Sequence, residues 1–313
     1  MSKTFKIIIA THKRFQMPED KELYVPIQVG SEGKGDLGYQ PDNQGVHISH
    51  LNPYYCELTG LYWAWKNLEC DYLGLVHYRR YFTSKRQSYS EAISMDDIIL
   101  SKSEVKNLMS NYDVIVPQKR KYYIETLYSH YSHTHDAKHL DITRQIISEI
   151  SPEYIETFDS IMKQRSGYMF NMFIMSKENV TAYCEWLFPI IDELYKRLDI
   201  TDYSAFEARL FGRISERLFN VWLAKQDLRV KEIPFIYMEK IDLIQKGKSF
   251  LQAKFFGKKY GQSFYIGMNN KNEISTKNKI CTRTFGSCCF RDIFNGFDIK
   301  CNFLCSVSAW NSL

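Results

Sequence analysis

The sequence lacks any uninterrupted apolar run of the ~18 to 20 residues that a membrane-spanning helix requires. The apolar run near the N-terminus, "FKIIIA", is too short for a signal peptide, and no small-residue cleavage site follows it. The eight cysteines form no CxxC pair, which argues against a disulfide framework and against a zinc site. These absences predict a cytoplasmic protein with reduced thiols.

Positive charge is concentrated at the C-terminal end. Residues 239–313 hold twelve Lys and Arg against five Asp and Glu, a net charge of +7, whereas the whole chain carries +5, so residues 1–238 carry about −2. Five of the cysteines also follow residue 280. We therefore predict one globular domain over 1–238 and a basic, aromatic and Cys-rich extension over 239–313. The extension either contacts an anionic membrane surface or is a solvated appendage.

Hydrophobic periodicity predicts an α/β domain. Short, continuously apolar runs indicate strands, and apolar residues that recur every three or four positions indicate helices. The predicted strands cover residues 5–13, 71–78, 112–117 and 167–176, and the predicted helices cover 52–68, 177–198 and 204–226, with two or three more between 121 and 164. Pro189 is expected to break or kink the helix that contains it. Apolar strands that alternate with helices favour a single Rossmann-type domain with a mostly parallel central sheet.

The stretch "GKGDLG" (33–38) matches the GxGxxG pattern of dinucleotide-binding proteins. That pattern binds a pyrophosphate only where a strand precedes it and a helix follows it. Here the residues that follow, "YQPDN" (39–43), are typical of a turn. We therefore interpret 33–38 as a polar loop that lines a cleft, and not as a dinucleotide site.

The run "GLVHYRRYF" (74–82) begins as a buried strand and continues into a histidine and two arginines. Alternation would place His77 and Arg79 on one face and Tyr78 and Arg80 on the other, so the run is expected to leave the sheet at its carboxyl edge. Two adjacent guanidiniums repel each other unless an anion or carboxylates neutralise them, and the guanidinium fork fits phosphate oxygens. A phosphate site and a structural network with Asp or Glu are both open.

Three polar residues, Thr11, His12 and Lys13, follow the first predicted strand. In open α/β sheets, ligands bind beyond the carboxyl ends of the strands. These residues therefore either contact a nucleotide or form a plain surface turn.

Two further segments carry titratable side chains. "HYSHTHDAKH" (130–139) holds four of the eight histidines. His135 and His139 are one helical turn apart, as zinc ligands can be, but no HExxH motif accompanies them. His135 is instead expected to line a polar cleft. Glu216 lies in the last predicted helix, where it is either a general base or part of a salt-bridged helix face.

Six stretches occur in an order that resembles a known family: "IIIATHK", "NPYYCELTGLYWAWKN", "YLGLVHYRRYF", "VIVP", "NMFIM" and "ERLFNVWL". They resemble a bacterial family, formerly described as a domain of unknown function, that occurs in capsule, exopolysaccharide and O-antigen gene clusters. The resemblance covers about residues 5–238. It implies a GT-A-like glycosyltransferase that uses a nucleotide-diphosphate sugar, and some members resemble galactofuranosyltransferases.

One loop departs from the family pattern. Members commonly carry Gly-Asp-Asn-Ile-Ser before the Asn-Pro-Tyr-Tyr helix, whereas this sequence has "GVHIS" at 45–49. An acidic residue is missing there, and the nearby Asp42 is the candidate replacement.

The resemblance also implies chemistry at a sugar–phosphate bond. Many GT-A enzymes hold the leaving diphosphate through a divalent metal bound by Asp-x-Asp, and this sequence has no Asp-x-Asp. His77, Arg79 and Arg80 are therefore expected to stabilise the diphosphate, with no metal ligands assigned and Mn²⁺ or Mg²⁺ left open as a cofactor. The other expected roles are nucleotide binding by Thr11, His12 and Lys13, sugar binding by Asn171 and Asp36, and catalysis by Glu216, Asp42 and His135.

The first functional expectation is thus a hexosyltransferase in capsule, exopolysaccharide or O-antigen synthesis. Its donor would be a UDP-sugar, of galactofuranose or another hexose, and its acceptor a polysaccharide or lipid-linked oligosaccharide at the cytoplasmic face of the membrane. The alternative is a non-catalytic carbohydrate- or partner-binding module of the same fold, which the altered loop at Val46 and His47 would explain. Nucleic acid is not an expected partner, because residues 1–238 are nearly neutral and carry no recognised nucleic-acid motif.

Overall fold

The computed structural model describes residues 3–85 and 94–238. The strands are β1 (Phe5–Thr11), β2 (Tyr24–Gln28), β3 (Gln40–Pro41), β4 (Tyr72–His77), β5 (Arg80–Phe82), β6 (Val114–Pro117), β7 (Arg120–Lys121), β8 (Ser166–Gly167), β9 (Phe173–Ser176), β10 (Val230–Ile233) and β11 (Phe235–Tyr237). The α-helices are α1 (Asn52–Tyr55), α2 (Leu58–Asn67), α3 (Lys102–Asn111), α4 (Leu127–Thr134), α5 (Lys138–Ile150), α6 (Ile155–Lys163), α7 (Lys177–Arg197) and α8 (Leu210–Lys225). Short 3₁₀ helices cover Ser49–Leu51, Pro152–Tyr154 and Glu207–Arg209.

A nine-stranded sheet forms the centre of the fold, and its main path runs β10-β6-β9-β4-β1-β2-β3. β1 is parallel to β2 and β4, β2 to β3, and β10 to β6, whereas β9 is antiparallel to both β4 and β6. The predicted α/β domain with a mostly parallel sheet is therefore confirmed. The carboxyl ends of β1, β2 and β4 meet at one edge, and β9 enters the sheet at the same edge because Phe173 pairs with Leu75.

Both faces of this sheet are covered, which explains why its strands are apolar throughout. In β1, Ile8 and Ala10 belong to the core that α2, α5, α7 and α8 cover, whereas Ile7 and Ile9 belong to a second core on the side of α3. A one-residue shift of β1 would exchange these two sets of side chains, so packing fixes the register of the strand ends.

The helix predicted over 52–68 is interrupted. α1 and α2 are separated by Cys56, whose φ of 54° and ψ of −129° are incompatible with a continuous helix. A positive φ is uncommon for a residue with a side chain and costs about 1–3 kcal/mol. Asn52, whose side chain bridges the break, donates to Cys56 O at 2.8 Å and to Thr59 Oγ1 at 3.2 Å.

The strand predicted over 167–176 is shorter than expected. The pairing of β9 with the central sheet begins at Phe173, and Gly167 belongs to the separate two-stranded β7–β8 sheet. Between them, Phe170 and Asn171 have φ values of 82° and 51°. This turn ends the extended run, and in it the Phe170 N–H donates to Glu216 Oε1 at 3.1 Å.

Three other expectations can be compared with the fold. α7 continues from Lys177 to Arg197 through Pro189, so the helix is not broken there, and the alternative expectation of a kink stays a prediction. Residues 33–38 form a loop between β2 and β3, as predicted. Within 3–85 and 94–238, no helix has the length and apolarity to span a bilayer. The extension 239–313 lies outside the described residues, and the domain boundary at 238 stays a prediction.

Candidate active site

The run of His77, Tyr78, Arg79 and Arg80 forms a tight hairpin at the carboxyl edge of the sheet. β4 ends at His77, Tyr78 and Arg79 form the turn, and β5 begins at Arg80, which pairs with His77. On the other side, Met238 N–H donates to Arg79 O at 2.9 Å. The run therefore leaves the sheet where the sequence predicted. Its arginines lie at the carboxyl ends of the parallel strands.

The ring of Tyr78 brings the ends of β1 and β4 together. Its side chain is only 4% exposed, and the His12 ring meets it edge-on with the ring centroids 5.3 Å apart. Lys13 Nζ and Arg79 Cζ each lie 5.0 Å from the Tyr78 ring centroid, within the ~6 Å reach of a cation–π interaction. His12, Lys13 and Arg79 thus surround one buried aromatic ring.

The two histidines of this edge are neutral at pH 7. Burial and the charges of Arg80 and Arg79 lower the pKa of His77 well below its usual value, and His77 Nδ1 accepts a hydrogen bond from Arg79 N–H at 3.3 Å. Although His12 faces solvent on one side, desolvation and the charges of Arg79 and Arg209 lower its pKa to about 4. The expected cationic role of His77 is therefore corrected: the arginines carry the charge, and the histidines are hydrogen-bonding groups.

Glu216 on α8 is a partly buried carboxylate beside these groups, because Phe170 contacts both Glu216 and Arg80. We refer to the region between Tyr78, the two arginines and Glu216 as the cleft. Its side chain is 22% exposed, and its Oε1 accepts a hydrogen bond from Phe170 N–H at 3.1 Å. Burial raises the pKa of Glu216; the charge of Glu57 adds to this rise, and the guanidiniums of Arg217 and Arg80 oppose it. A carboxylate with a raised pKa is suited to general-base chemistry near neutral pH.

Glu57 is a second carboxylate beside Glu216, and the sequence analysis assigned it no role within the helix predicted over 52–68. Its Oε1 accepts a hydrogen bond of 2.9 Å from Asn171 Nδ2. Asn171 is 4% exposed; its Nδ2 also donates to Gly212 O at 3.1 Å, and its Oδ1 accepts from Ser215 Oγ at 3.0 Å. Both amide protons of Asn171 are engaged, so this residue positions Glu57. The sequence had instead predicted that Asn171 binds a sugar, and its amide has no donor left for that role.

Strained backbone surrounds the two carboxylates. Of the four non-glycine residues with positive φ in the described part of the chain, three adjoin or contact them: Cys56, Phe170 and Asn171. Cys56 precedes Glu57, Phe170 donates to Glu216, and Asn171 holds Glu57. Such conformations cluster at functional sites, because the surrounding structure must offset their cost. The backbone therefore points to this cleft independently of its charges.

Two arginines that the sequence analysis missed extend the positive charge along the start of α8. Arg209 Nε donates to Cys56 Sγ at 3.2 Å, and the charge of Arg209 contributes to the lowered pKa values of both histidines. Arg213 Nη2 donates to Phe206 O at 2.8 Å. Arg209, Arg213 and Glu216 follow at intervals of four and three residues, so the helical repeat was a signal that they share one face.

Asp42 has a structural role in place of the expected catalytic one. It is fully buried, and its oxygens accept hydrogen bonds from Gly30 N–H (2.8 Å), Ser31 N–H and Oγ (3.0 and 2.8 Å), Ser49 Oγ (2.5 Å) and Thr59 Oγ1 (2.7 Å). Five donors occupy the lone pairs of this carboxylate. Asp42 therefore ties the end of β2 to α2 and has no oxygen left for an acceptor hydroxyl.

The loop that departs from the family pattern lies along α2. Trp63 Nε1 donates to Gln44 O at 2.8 Å, and Asn67 exchanges two hydrogen bonds with the backbone of Val46, at 3.0 and 2.8 Å. α2 has ten residues, or about 15 Å of length, and Glu57 precedes its first turn. The altered position at Val46 is thus at the opposite end of α2 from the carboxylates.

Of the remaining binding candidates, Thr11 is buried beneath the turn after β1, whereas Asp36 is exposed in the loop between β2 and β3. Thr11 is fully buried, and its Oγ1 donates to Lys13 O at 2.6 Å, so it shapes the turn and does not face a ligand. Asp36 is exposed and accepts from Gly38 N–H at 2.7 Å. Lys34 contributes to the lowered pKa of His12, which brings the loop 33–38 beside the cleft. Sugar binding by Asp36 stays a prediction.

His135 lies in a separate cavity of about 100 Å³ that Arg213 also lines. The neighbouring His139 does not suit a zinc site, because its Nδ1 and Nε2 are bonded to Tyr131 Oη at 2.9 Å and Tyr203 Oη at 3.0 Å. Among residues 3–85 and 94–238, no group of three or more His, Cys, Asp or Glu is arranged to hold a metal. The groups at the expected diphosphate position are guanidiniums, which cannot ligate Mg²⁺ or Mn²⁺, so the donor set there does not fit such an ion.

The chain is similar to known proteins in both sequence and fold. Residues 6–227 match the model of a family described as a domain of unknown function, DUF4422. The fold is similar to that of WbbM, a bifunctional glycosyltransferase solved in its apo form, with a TM-score of 0.70 and 29% identity over 76% of this chain. The match spans 46% of the WbbM chain. No curated protein sequence matches this chain.

Proposed function

Because the chain belongs to the DUF4422 family, we propose that it is a glycosyltransferase that moves a hexose from a nucleotide-diphosphate sugar to a glycan acceptor during synthesis of a bacterial surface polysaccharide. The observation that carries this proposal is the joint presence of arginines and a Glu57–Glu216 pair in one cleft at the carboxyl edge of the sheet. The similarity in fold to a bifunctional glycosyltransferase supports it. UDP is the proposed nucleotide.

The arginines suit a leaving diphosphate. Negative charge grows on that group as the sugar–phosphate bond breaks, and oriented positive groups in a partly dry site stabilise it. Arg80 Cζ lies 4.4 Å from the Phe170 ring centroid, as Arg79 lies against Tyr78. Stacking on rings limits the movement of both guanidiniums, so little reorganisation is needed when the charge develops. In this proposal Arg79 and Arg80 bind the diphosphate, with Arg209 beside them.

Glu216 suits the acceptor side of the reaction. The acceptor hydroxyl oxygen attacks the anomeric carbon, its proton passes to Glu216, and the bond from the anomeric carbon to the diphosphate breaks with its electron pair on the leaving phosphate. The raised pKa of Glu216 makes it a better proton acceptor than an exposed carboxylate. Glu57 contributes the negative charge that assists this rise.

The alternative function, a non-catalytic carbohydrate- or partner-binding module, was suggested by the altered loop at Val46 and His47. Asn67 holds Val46 at the far end of α2, so the change leaves the carboxylate pair and the arginines untouched. The cytoplasmic location and membrane contact through residues 239–313 stay predictions.

The test combines binding with turnover. Thermal unfolding is measured with UDP-, GDP- and TDP-sugars, each with Mn²⁺ and with EDTA, and the stabilising donor is then assayed for hydrolysis and transfer. A ligand at ~100-fold its dissociation constant stabilises by about 2.7 kcal/mol, a clear shift in Tm. We expect UDP-sugars to stabilise the protein in EDTA as well as in Mn²⁺. A protein that no nucleotide sugar stabilises, and that neither hydrolyses nor transfers any, is not a glycosyltransferase.

A further inference from the structure

The cavity around His135 is lined mostly by polar side chains, and none of the residues proposed to bind the donor lines it. It measures about 100 Å³ and is lined by His135, Asp136, Tyr203, Glu207 and Arg213, among others. A cavity needs roughly 10–15 Å³ per water by this measure, so it has room for several waters or for one small ring that replaces them.

The lining is held in place by its own contacts. Tyr203 Oη is bonded to His139 Nε2 at 3.0 Å, and Glu207 Oε2 accepts from Ser204 N–H at 3.0 Å and Ser204 Oγ at 2.6 Å. Arg213 Cζ lies 4.2 Å from the Phe206 ring centroid. A site whose side chains are already ordered loses less conformational entropy when a ligand binds.

The charge of the cavity disfavours an anionic ligand. Asp136 and Glu207 together outweigh the single guanidinium of Arg213, so a diphosphate would meet net negative charge here, unlike at Arg79 and Arg80. Carboxylates, a guanidinium and an imidazole offer both donors and acceptors, and the tyrosine ring offers an apolar face. This combination matches a sugar ring, with hydroxyls at its edge and C–H groups on its face.

Arg213 connects this cavity to the proposed catalytic base. It lines the cavity, lies one helical turn from Glu216 on α8, and is close enough for the Glu216 charge to influence its pKa. The charge of Arg209 acts on Arg213 as well. A ring in the cavity would therefore lie beside the cleft, on the side of Glu216.

We propose that the cavity lined by His135, Asp136, Tyr203, Glu207 and Arg213 binds one neutral sugar ring of the acceptor glycan. This inference rests on the proposed function. It gives His135 contact with acceptor hydroxyls, which agrees with the polar cleft wall expected from the sequence and replaces the expected catalytic role.

Ligand-observed NMR tests the cavity without requiring turnover. The probes are the methyl glycosides of galactose, glucose, mannose and N-acetylglucosamine at millimolar concentration, with a UDP-sugar as the probe of the donor cleft. We expect at least one glycoside to bind, and its affinity to fall about tenfold in His135→Ala and in Glu207→Gln, which is about 1.4 kcal/mol. His133→Ala is the matched control and should bind like the wild type, because His133 lies in the last turn of α4, two residues before His135, and pairs with Glu125 outside the cavity lining.

The outcomes separate the two proposals. If no glycoside binds the wild type, or if His135→Ala and Glu207→Gln bind it as tightly as His133→Ala does, the cavity is not a sugar site. If these variants weaken the UDP-sugar as strongly as the glycoside, the cavity belongs to the donor and the assignment is wrong. Glycoside binding without binding of any nucleotide sugar would instead overturn the proposed function and leave the cavity as a carbohydrate site. Thermal melts confirm that each variant is folded.

Discussion

The side-chain amide of Asn171 holds Glu57, donating to its Oε1 at 2.9 Å while also donating to Gly212 O of α8 at 3.1 Å. The preceding residue, Phe170, donates its backbone N–H to Glu216 at 3.1 Å. Two consecutive residues with positive φ thus each hold one carboxylate. The relative placement of Glu57 and Glu216 is therefore set by backbone geometry and does not depend on the free rotation of two long side chains.

This arrangement predicts a distinct effect for each carboxylate. Glu216→Gln removes the proposed base and should lower kcat by about 10²- to 10⁴-fold. Glu57→Gln removes a negative neighbour, so the pKa of Glu216 falls and the acidic limb of the kcat/KM profile moves to lower pH. Arg80 and Arg217, the other charges that act on Glu216, are unchanged in this variant. The profile is measured between pH 4 and 9 (roughly the range in which carboxylates and histidines titrate).

The control for this pair is Glu156→Gln, an exposed glutamate on α6. It should leave both kcat and the pH profile unchanged. An acidic limb that stays in place or moves upward in Glu57→Gln would show that Glu57 does not act on the base.

A second prediction concerns the guanidiniums. Arg79→Ala and Arg80→Ala should each lower kcat by two or more orders of magnitude, since removing one such donor to a developing anion costs about 2.7–4 kcal/mol. Arg80→Lys keeps the charge but loses the planar fork, so it should recover only part of the loss. Arg14→Ala, at an exposed arginine of the neighbouring loop, controls for net charge. Near-normal turnover in both folded alanine variants would refute the diphosphate role.

The sequence alone was sufficient to predict the central sheet and the positively charged edge of that sheet. Continuous apolar strands predicted the parallel core, and the polar run after Val76 predicted the point at which β4 leaves the sheet, because guanidiniums cannot be buried in both faces of a strand. The locations of His77, Arg79 and Arg80 followed from that requirement alone.

The carboxylate pair could not be found in the same way. Cys56 and Phe170 have positive φ although neither is a glycine. The sequence therefore contained no typical turn residue at the break in the predicted helix 52–68 or in the predicted strand 167–176. Glu57 therefore fell within the continuous helix predicted over 52–68, and Asn171 within the strand predicted over 167–176. Tertiary contacts that join α1, α8 and the entry to β9 decide both conformations, and a single sequence does not disclose such contacts.

A third prediction separates stability from catalysis at Asp42. Asp42→Asn places an amide NH₂ among five donors, so at least one buried donor loses its acceptor, and we expect a loss of about 2–3 kcal/mol in the free energy of unfolding. Asp36→Asn, at an exposed position of the adjacent loop, should change stability by less than ~0.5 kcal/mol. Denaturant unfolding measures both. The folded fraction of Asp42→Asn should retain normal kcat, whereas a stable but inactive variant would restore the catalytic role that the sequence suggested.

The last prediction uses the unusual protonation of His12. Its pKa is about 4 in the unliganded protein, and a diphosphate beside Arg79 would add negative charge and raise it. Binding then takes up a proton wherever the pH lies between the two pKa values, so the affinity for a UDP-sugar should increase as the pH falls from 7 to 5, by at most tenfold per pH unit for one proton. In His12→Gln this contribution is absent and the affinity should depend less on pH. His47→Gln, at a half-buried histidine of the loop that ends near Asn67, should behave like the wild type. Calorimetric titrations at several pH values measure the slopes, and equal slopes in the His12 variant and the wild type would place the phosphates away from His12.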